Sequence, residues 1–244
     1  MSFLQNRGLA SGIVLLFIFA SLPSLCANKK TNGQIVDSGT FGVYVNGKRV
    51  ASEKFEITQS PDMSVAKAEL KVEQSKNPQI AELQLWPNGN LLRYQWSEKD
   101  QGSAIVEPKD EFLIEHVSLV QPSKSAEQPF ILPSSTLILD DYFFSQRQIL
   151  IWRYLATQCH PKAGDNGCPL SAAQFGVIVP RQQTSIQVNV AYAGQHKTSV
   201  KGVEQELNRF DLQSEGNNWV VWMDATYKIQ KIAIEADHTE VYRD

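Results

Sequence analysis

The sequence predicts a mainly β protein, a curved antiparallel sheet of about ten or eleven strands packed on one α-helix near 141–156. Three observations predict it. Two Asn-Gly pairs, Asn46-Gly47 and Asn88-Gly89, sit between apolar runs, and Asn-Gly suits the positive φ angles of a two-residue hairpin turn. Several segments alternate apolar with polar residues, the pattern of a strand with one wet face. Tyr142 to Ala156 runs fifteen residues without Gly or Pro, a length that suits a helix better than a strand.

The first element is a secretory leader, Met1 to Ala27. Arg7 is its one charged side chain, an apolar block runs from Gly12 to Ala20, and Pro23 breaks it ahead of Ser24-Leu25-Cys26-Ala27. Two alternatives stand beside cleavage. The uncharged run from Gly8 to Asn28 approaches the roughly 20 residues of a membrane-spanning anchor, although Ser11, Ser21, Pro23 and Ser24 interrupt it. Acylation of Cys26 is the other, although Leu25 stands where lipoprotein processing wants a small residue. All three readings place the rest of the chain outside the cytosol, secreted or periplasmic, and cleavage leaves no membrane span.

Asn28 to Ser38 is polar and reads as a linker, so a single β domain is expected over 39–244. Phe41 to Val45 and Arg49 to Ile57 flank the first Asn-Gly turn, and Ile80 to Trp86 and Leu91 to Trp96 flank the second. Between these hairpins Ala66, Ala68, Leu70 and Val72 share one face while Lys67, Glu69, Lys71 and Glu73 share the other. Strands follow at Ser103 to Val106 and Phe112 to Val120. Gln121 to Ser135 carries Pro122, Pro129 and Pro133, which interrupt a hydrogen-bond ladder, and reads as a crossing segment on the surface. Leu137 to Leu139 leads into Asp140-Asp141, where a carboxylate is expected to cap the helix. Apolar residues on more than one face of that helix, among them Phe143, Leu150, Trp152 and Tyr154, imply that it is largely covered. Further strands are expected at Gln174 to Val179, Ser185 to Tyr192, Thr198 to Leu212 with a break near Gly202, Trp219 to Met223, Tyr227 to Ile234 and Glu240 to Arg243. The simplest object for such a sheet to enclose is the helix.

Removing residues 1–27 takes away Arg7 and no acid, so the formal charge moves from −3 to −4. That balance makes neither nucleic acid nor an anionic membrane surface a natural partner. Of three cysteines, Cys159 and Cys168 remain beyond the leader, bracketing the turn-forming His160-Pro-Lys-Ala-Gly-Asp-Asn-Gly167. In an oxidising compartment they are expected to form a disulfide. A metal site on Cys159, His160, Asp165 and Cys168 is the competing reading, but their spacing departs from the usual ligand patterns, so no metal is expected.

Catalytic signals are weak. There is no G-x-S-x-G elbow, no H-E-x-x-H and no Gly-rich phosphate loop, so no catalytic residue and no cofactor is assigned. His238 lies in an Asp-His-Thr turn, whereas His116 alternates in phase with Phe112 and Ile114 and so faces either the interior or its rim. Trp86, Trp96, Trp219 and Trp222 fall near strand ends, and aromatics on the concave side of a curved sheet can hold an apolar ligand. These four tryptophans and His116 are the candidate ligand-binding residues. Ordinary cross-strand packing is the alternative role for the tryptophans.

Three segments carry a family resemblance: Phe41-Gly-Val-Tyr-Val-Asn-Gly-Lys-Arg-Val50, Tyr192-Ala-Gly194, and Trp219-Val-Val-Trp-Met-Asp224 with Lys228 to Ile234. Together they resemble bacterial exported families of unknown function, similar in architecture to the lipoprotein-carrier half-barrels of the LolA and LolB type. The resemblance implies an envelope protein whose half-barrel embraces a helix, and it carries over no catalytic residue. The function expected is non-enzymatic binding of a lipidic or other apolar ligand, or of an apolar partner segment. A structural or assembly factor pairing its sheet edges with another envelope protein is the second reading. A hydrolase built on His116 or His238 is the third.

Overall fold

The alternation from Ala66 to Val72 is a strand with one buried face: Ala66, Ala68 and Leu70 are buried, Lys67 and Lys71 exposed. In a computed structural model that describes residues 33–120, 123–160, 167–169 and 171–244, the same logic repeats across one open, curved sheet. The expected leader and Asp165 lie outside the described residues. Residues 32–244 form one compact unit.

Among the described residues fifteen strands make up the sheet. Its first eight are β1 (Gln34–Val45), β2 (Lys48–Gln59), β3 (Ser64–Val72), β4 (Gln79–Leu85), β5 (Leu91–Glu98), β6 (Gly102–Lys109), β7 (Phe112–Leu119) and β8 (Lys124–Phe130). After β9 (Leu137–Ile138) and the helix α1 (Ser145–Gln158) come β10 (Ala173–Val179), β11 (Thr184–Val200) and β12 (Val203–Ser214). The last three are β13 (Asn217–Met223), β14 (Ile229–Ile234) and β15 (Thr239–Arg243). The spatial order is β8-β7-β6-β5-β4-β3-β2-β1-β15-β14-β13-β12-β11-β10-β9. Neighbours are antiparallel except β9 and β10, which run parallel. Two meanders are thus joined at a seam, β1 against β15, with Phe41 opposite Arg243 and Val45 opposite Thr239.

Helix α1 reaches both meanders. Ser145 bonds to Glu53 of β2, and Tyr154 packs edge-on against Phe210 of β12 at 6.2 Å. Leu150, Ile151 and Tyr154 are fully buried with Phe143 and Phe144 just ahead of them, so the helix supplies the middle of the core, each large side chain contributing about 1.5–3 kcal/mol. The seam is fastened beside it. Asp37, nearly fully buried, accepts from Arg243 Nη2 at 2.6 Å and from Gln148 Nε2 of α1 at 2.6 Å, with Lys228 Nζ 3.5 Å away.

The structure corrects several expectations. The helix starts at Ser145, and Asp140 does not cap it; the amides of Phe144 and Ser145 are taken by Glu53, a residue remote in sequence. Within 121–135 the chain forms β8 and pairs with β7, Pro129 standing opposite Ile114. An edge strand needs amide donors on one side alone, so proline is tolerated there. Gln34 to Ser38, expected as linker, already belongs to β1 and pairs with β2. The expected break near Gly202 is present, Lys201 and Gly202 lying at positive φ (50° and 83°) between β11 and β12; what differs is that the strand expected at Ser185 to Tyr192 runs on through an irregularity at Gly194 into the segment expected from Thr198, all of it β11. Fifteen strands among the described residues exceed the ten or eleven expected, and β8 and β9 have no counterpart among the segments expected as strands.

Cys159 ends the helix and is bonded to Cys168, so both sulfurs are occupied by each other rather than by a metal. No helix among the described residues is long and apolar enough to cross a membrane.

Candidate functional site

The two ends of α1 have different chemistry. At the N-terminal end, the first helical amides need acceptors, and β2 supplies them. Glu53 is fully buried; its Oε2 accepts from Phe144 N at 2.6 Å and Ser145 N at 3.2 Å, and its Oε1 accepts from Ser145 Oγ at 2.5 Å. Burial pushes the Glu53 carboxyl up to about 7, with the Ser145 and Phe144 hydrogen bonds and the nearby Arg147 charge pulling the other way. Arg147 is itself buried, stacked over Phe144 at 4.9 Å and Trp219 at 5.4 Å, and burial lowers its pKa.

Just ahead of the helix, Asp140 is the hub of a second buried group. It accepts from Tyr94 Oη at 2.5 Å and Arg181 Nε at 2.6 Å, while its own amide donates to Gln146 at 2.6 Å. Burial outweighs Arg181 and holds Asp140 above the usual carboxylate range. Glu115 of β7 points to the same interior and is fully buried, and neither carboxyl oxygen has a hydrogen-bond partner among the described residues. Burial, aided by the Asp140 charge, pushes it up to about 7. Near neutral pH the Glu53 and Glu115 carboxyls are therefore partly protonated. They serve the fold by neutrality as much as by charge.

Toward its C-terminal end α1 instead faces a cleft of about 340 Å³ against β2, β3 and β4. The space has a sequence cause. In one cross-strand row Ala66 lies between Ile57 and Leu83, and in the next Ser64 lies between Gln59 and Leu85, so β3 presents two small side chains where its neighbours present large ones. Ile149 and Trp152 of α1 form the opposite wall. Trp152 Nε1 donates to the Tyr227 carbonyl at 2.7 Å, which fixes the ring. The rim is the Asn88-Gly89 turn with Trp86, which is 47% exposed, and Arg153 and Thr157 of the helix.

Of the residues expected to bind a ligand, the structure brings Trp86 alone to this cleft. Trp96 is 8% exposed, donates to Gln79 at 3.4 Å and lies under Arg181 at 5.5 Å, at the other end of the interior. Trp219, 6% exposed, packs with Arg147. Trp222 is on the outer face against Lys231 at 5.3 Å. His116 is on the outer face as well, half-exposed between Glu107 at 4.0 Å and Glu127 at 3.6 Å, because Leu113 and Glu115 are the members of β7 that turn inward. His238 lies in the turn before β15 at φ 51°. Sequence reasoning does not reach Trp152 and Arg153 as site residues, although the apolar residues of the helix occupy more than one face. The small pair Ser64 and Ala66 was the usable signal for a gap.

No group of three or more His, Cys, Asp or Glu among the described residues is arranged to hold a metal. What the cleft can do chemically is bind: it has an apolar floor, a fixed aromatic wall and a polar rim. No family model, no curated protein and no solved structure matches the chain.

Proposed function

We propose that this chain is an exported, non-enzymatic protein that binds an apolar ligand in the cleft between α1 and β2–β4. The observation that carries the reading is the cleft itself, left open by Ser64 and Ala66 and walled by a hydrogen-bonded Trp152. Its volume of about 340 Å³ falls within the roughly 300–1,000 Å³ of small-molecule sites. Export is supported by the Cys159–Cys168 disulfide, a bond that oxidising compartments favour, and by the leader pattern of Met1 to Ala27. The resemblance to lipoprotein carriers points the same way.

An assembly factor that pairs its sheet edge with a partner has less support. The β8 edge carries Lys124, Glu127 and Pro129, the residue types by which edge strands resist added strands. The test is binding of a neutral apolar dye, N-phenyl-1-naphthylamine, to the natural chain and to Ala66→Trp, with native mass spectrometry of detergent-free protein beside it. We expect one saturable site that Ala66→Trp abolishes while the melting curve stays cooperative. A bare mass together with dye fluorescence indifferent to Ala66→Trp ends the proposal.

A further inference from the structure

We infer that the ligand is a single-chain monocarboxylate, an anionic amphiphile whose hydrocarbon chain fills the cleft and whose carboxylate pairs with Arg153. This rests on the cleft being a binding site and adds the chemistry of the head group.

Among the described residues that line the cleft Arg153 is the one charged side chain, and no Asp or Glu is among them. Its guanidinium donates from Nη1 to the Asn88 carbonyl and from Nη2 to Asn90 Oδ1 at 3.4 Å. Both acceptors are neutral, so they orient the group and leave its charge uncancelled, and Arg153 takes part in no ion pair among the described residues. The turn is shaped to admit it: Gly89 has φ +79°, and a Cβ there would overlap Arg153 Nη1. A half-buried guanidinium held at the mouth of an apolar space, with its fork already oriented, is suited to a planar carboxylate.

The polar rim completes the match. Gln59, Ser64 and Thr157 line the cleft as well as Arg153, together with the apolar Ile57, Leu83 and Ile149. An amphiphile satisfies both kinds of side chain at once. A neutral hydrocarbon satisfies one, and a cationic amphiphile meets repulsion at Arg153. The cleft volume of about 340 Å³ equals about eleven water-sized volumes of about 30 Å³ each. A chain of medium length therefore fits the cleft, and the far end of a longer one projects into solvent.

The test is calorimetric titration of the full chain with dodecanoate, dodecanol and dodecyltrimethylammonium, using the natural protein, Arg153→Met, Arg153→Lys and Ala66→Trp. Dodecanoate is expected to bind about ten-fold or more tightly than dodecanol, the gain of a charge-assisted hydrogen bond, and the cation most weakly. Arg153→Met should bring dodecanoate down to the dodecanol level and leave dodecanol unchanged, while Arg153→Lys keeps part of the preference. In the natural chain, raising the salt should weaken dodecanoate and spare dodecanol, a readout that survives even if Arg153→Met fails to fold. Equal affinity for dodecanoate and dodecanol, or a preference that ignores both salt and Arg153→Met, overturns the head-group inference and leaves the cleft reading in place. If no probe binds the natural chain, both fall.

Discussion

The N-terminal end of α1 is crowded with buried polar side chains, whereas its C-terminal half looks across an apolar gap, and the two belong to one helix of fourteen residues. At the first end Ser145, Gln146, Arg147 and Gln148 are all buried, and Glu53, Asp37 and Asp140 come from elsewhere in the chain to meet them. At the second, Ile149 and Trp152 face Ala66 and Leu83 across the cleft. The contrast teaches how a sheet can grip a helix without filling the space beside it. Directional hydrogen bonds fix position and angle at one end, so the other end does not need close packing to stay in place.

The largest effect should come from removing the anchor. Glu53→Ala leaves two buried amides and the buried Ser145 hydroxyl without their acceptor, and should lower stability by about 3–5 kcal/mol in urea unfolding. At temperatures where the variant is still folded, dye binding in the cleft should persist. Ala66→Trp should do the reverse, removing binding with little loss of stability. A Glu53→Ala protein as stable as the natural one would dissolve the distinction between the two ends.

Next in size is a pH effect confined to the polar end. Glu53 and Glu115 are raised to about 7 from an ordinary value of 4.5, so between those values the folded chain holds protons that the unfolded chain has released. Stability should therefore be greatest near pH 4.5 to 5, fall as pH rises toward 7, and level off above it, with each group contributing on the order of 3 kcal/mol. Urea midpoints at pH 5 and pH 7.5 measure the slope, and the double variant Glu53→Gln with Glu115→Gln should flatten it. A midpoint that rises across that interval contradicts the assignment.

The smallest effect concerns the C-terminal end, which has a covalent fastening in place of a polar one. Cys159→Ser with Cys168→Ser should cost about 2–3 kcal/mol, the chain-entropy value for a loop with a sequence separation of 9. Because Cys159 directly follows the last helical residue, the loss should also show as faster hydrogen exchange at Ala156 to Gln158 than at Ser145 to Gln148. Equal exchange at the two ends would mean that the disulfide has no special hold on this one.

Much of the sheet was legible because its signals are local. Asn46-Gly47 and Asn88-Gly89 close hairpins, and the alternation at Ala66 to Val72 states which face is buried. The helix was legible as a segment but not in its start, since Asp140 satisfies every local rule for a cap and the acceptor is Glu53 on another strand. β8 was illegible because an edge strand tolerates Pro129 and exposes nearly all its side chains, leaving no alternation to read. The candidate site was the least legible part. Tryptophans mark burial and strand ends in any β protein, and Trp96, Trp219 and Trp222 lie in three separate surroundings. The gap arises from two small residues on β3 and from where Glu53 sets the helix, a combination that no single stretch of chain displays.

The β1–β15 seam has a consequence in time. Each meander joins strands that follow one another, so most of it can form while the chain is still being delivered. The seam cannot: Phe41 must wait for Arg243, and Asp37 for the same residue, 206 positions later. Closing so long a loop carries a large entropic cost, and until it closes β1 is an open strand edge in the middle of the future sheet, the kind that recruits other chains. The stacked pair Phe41 and Phe55, 4.8 Å apart, waits uncapped for the guanidinium that finally covers it. For this protein, the interval between the arrival of β1 and that of residue 243 is the period of greatest exposure to aggregation.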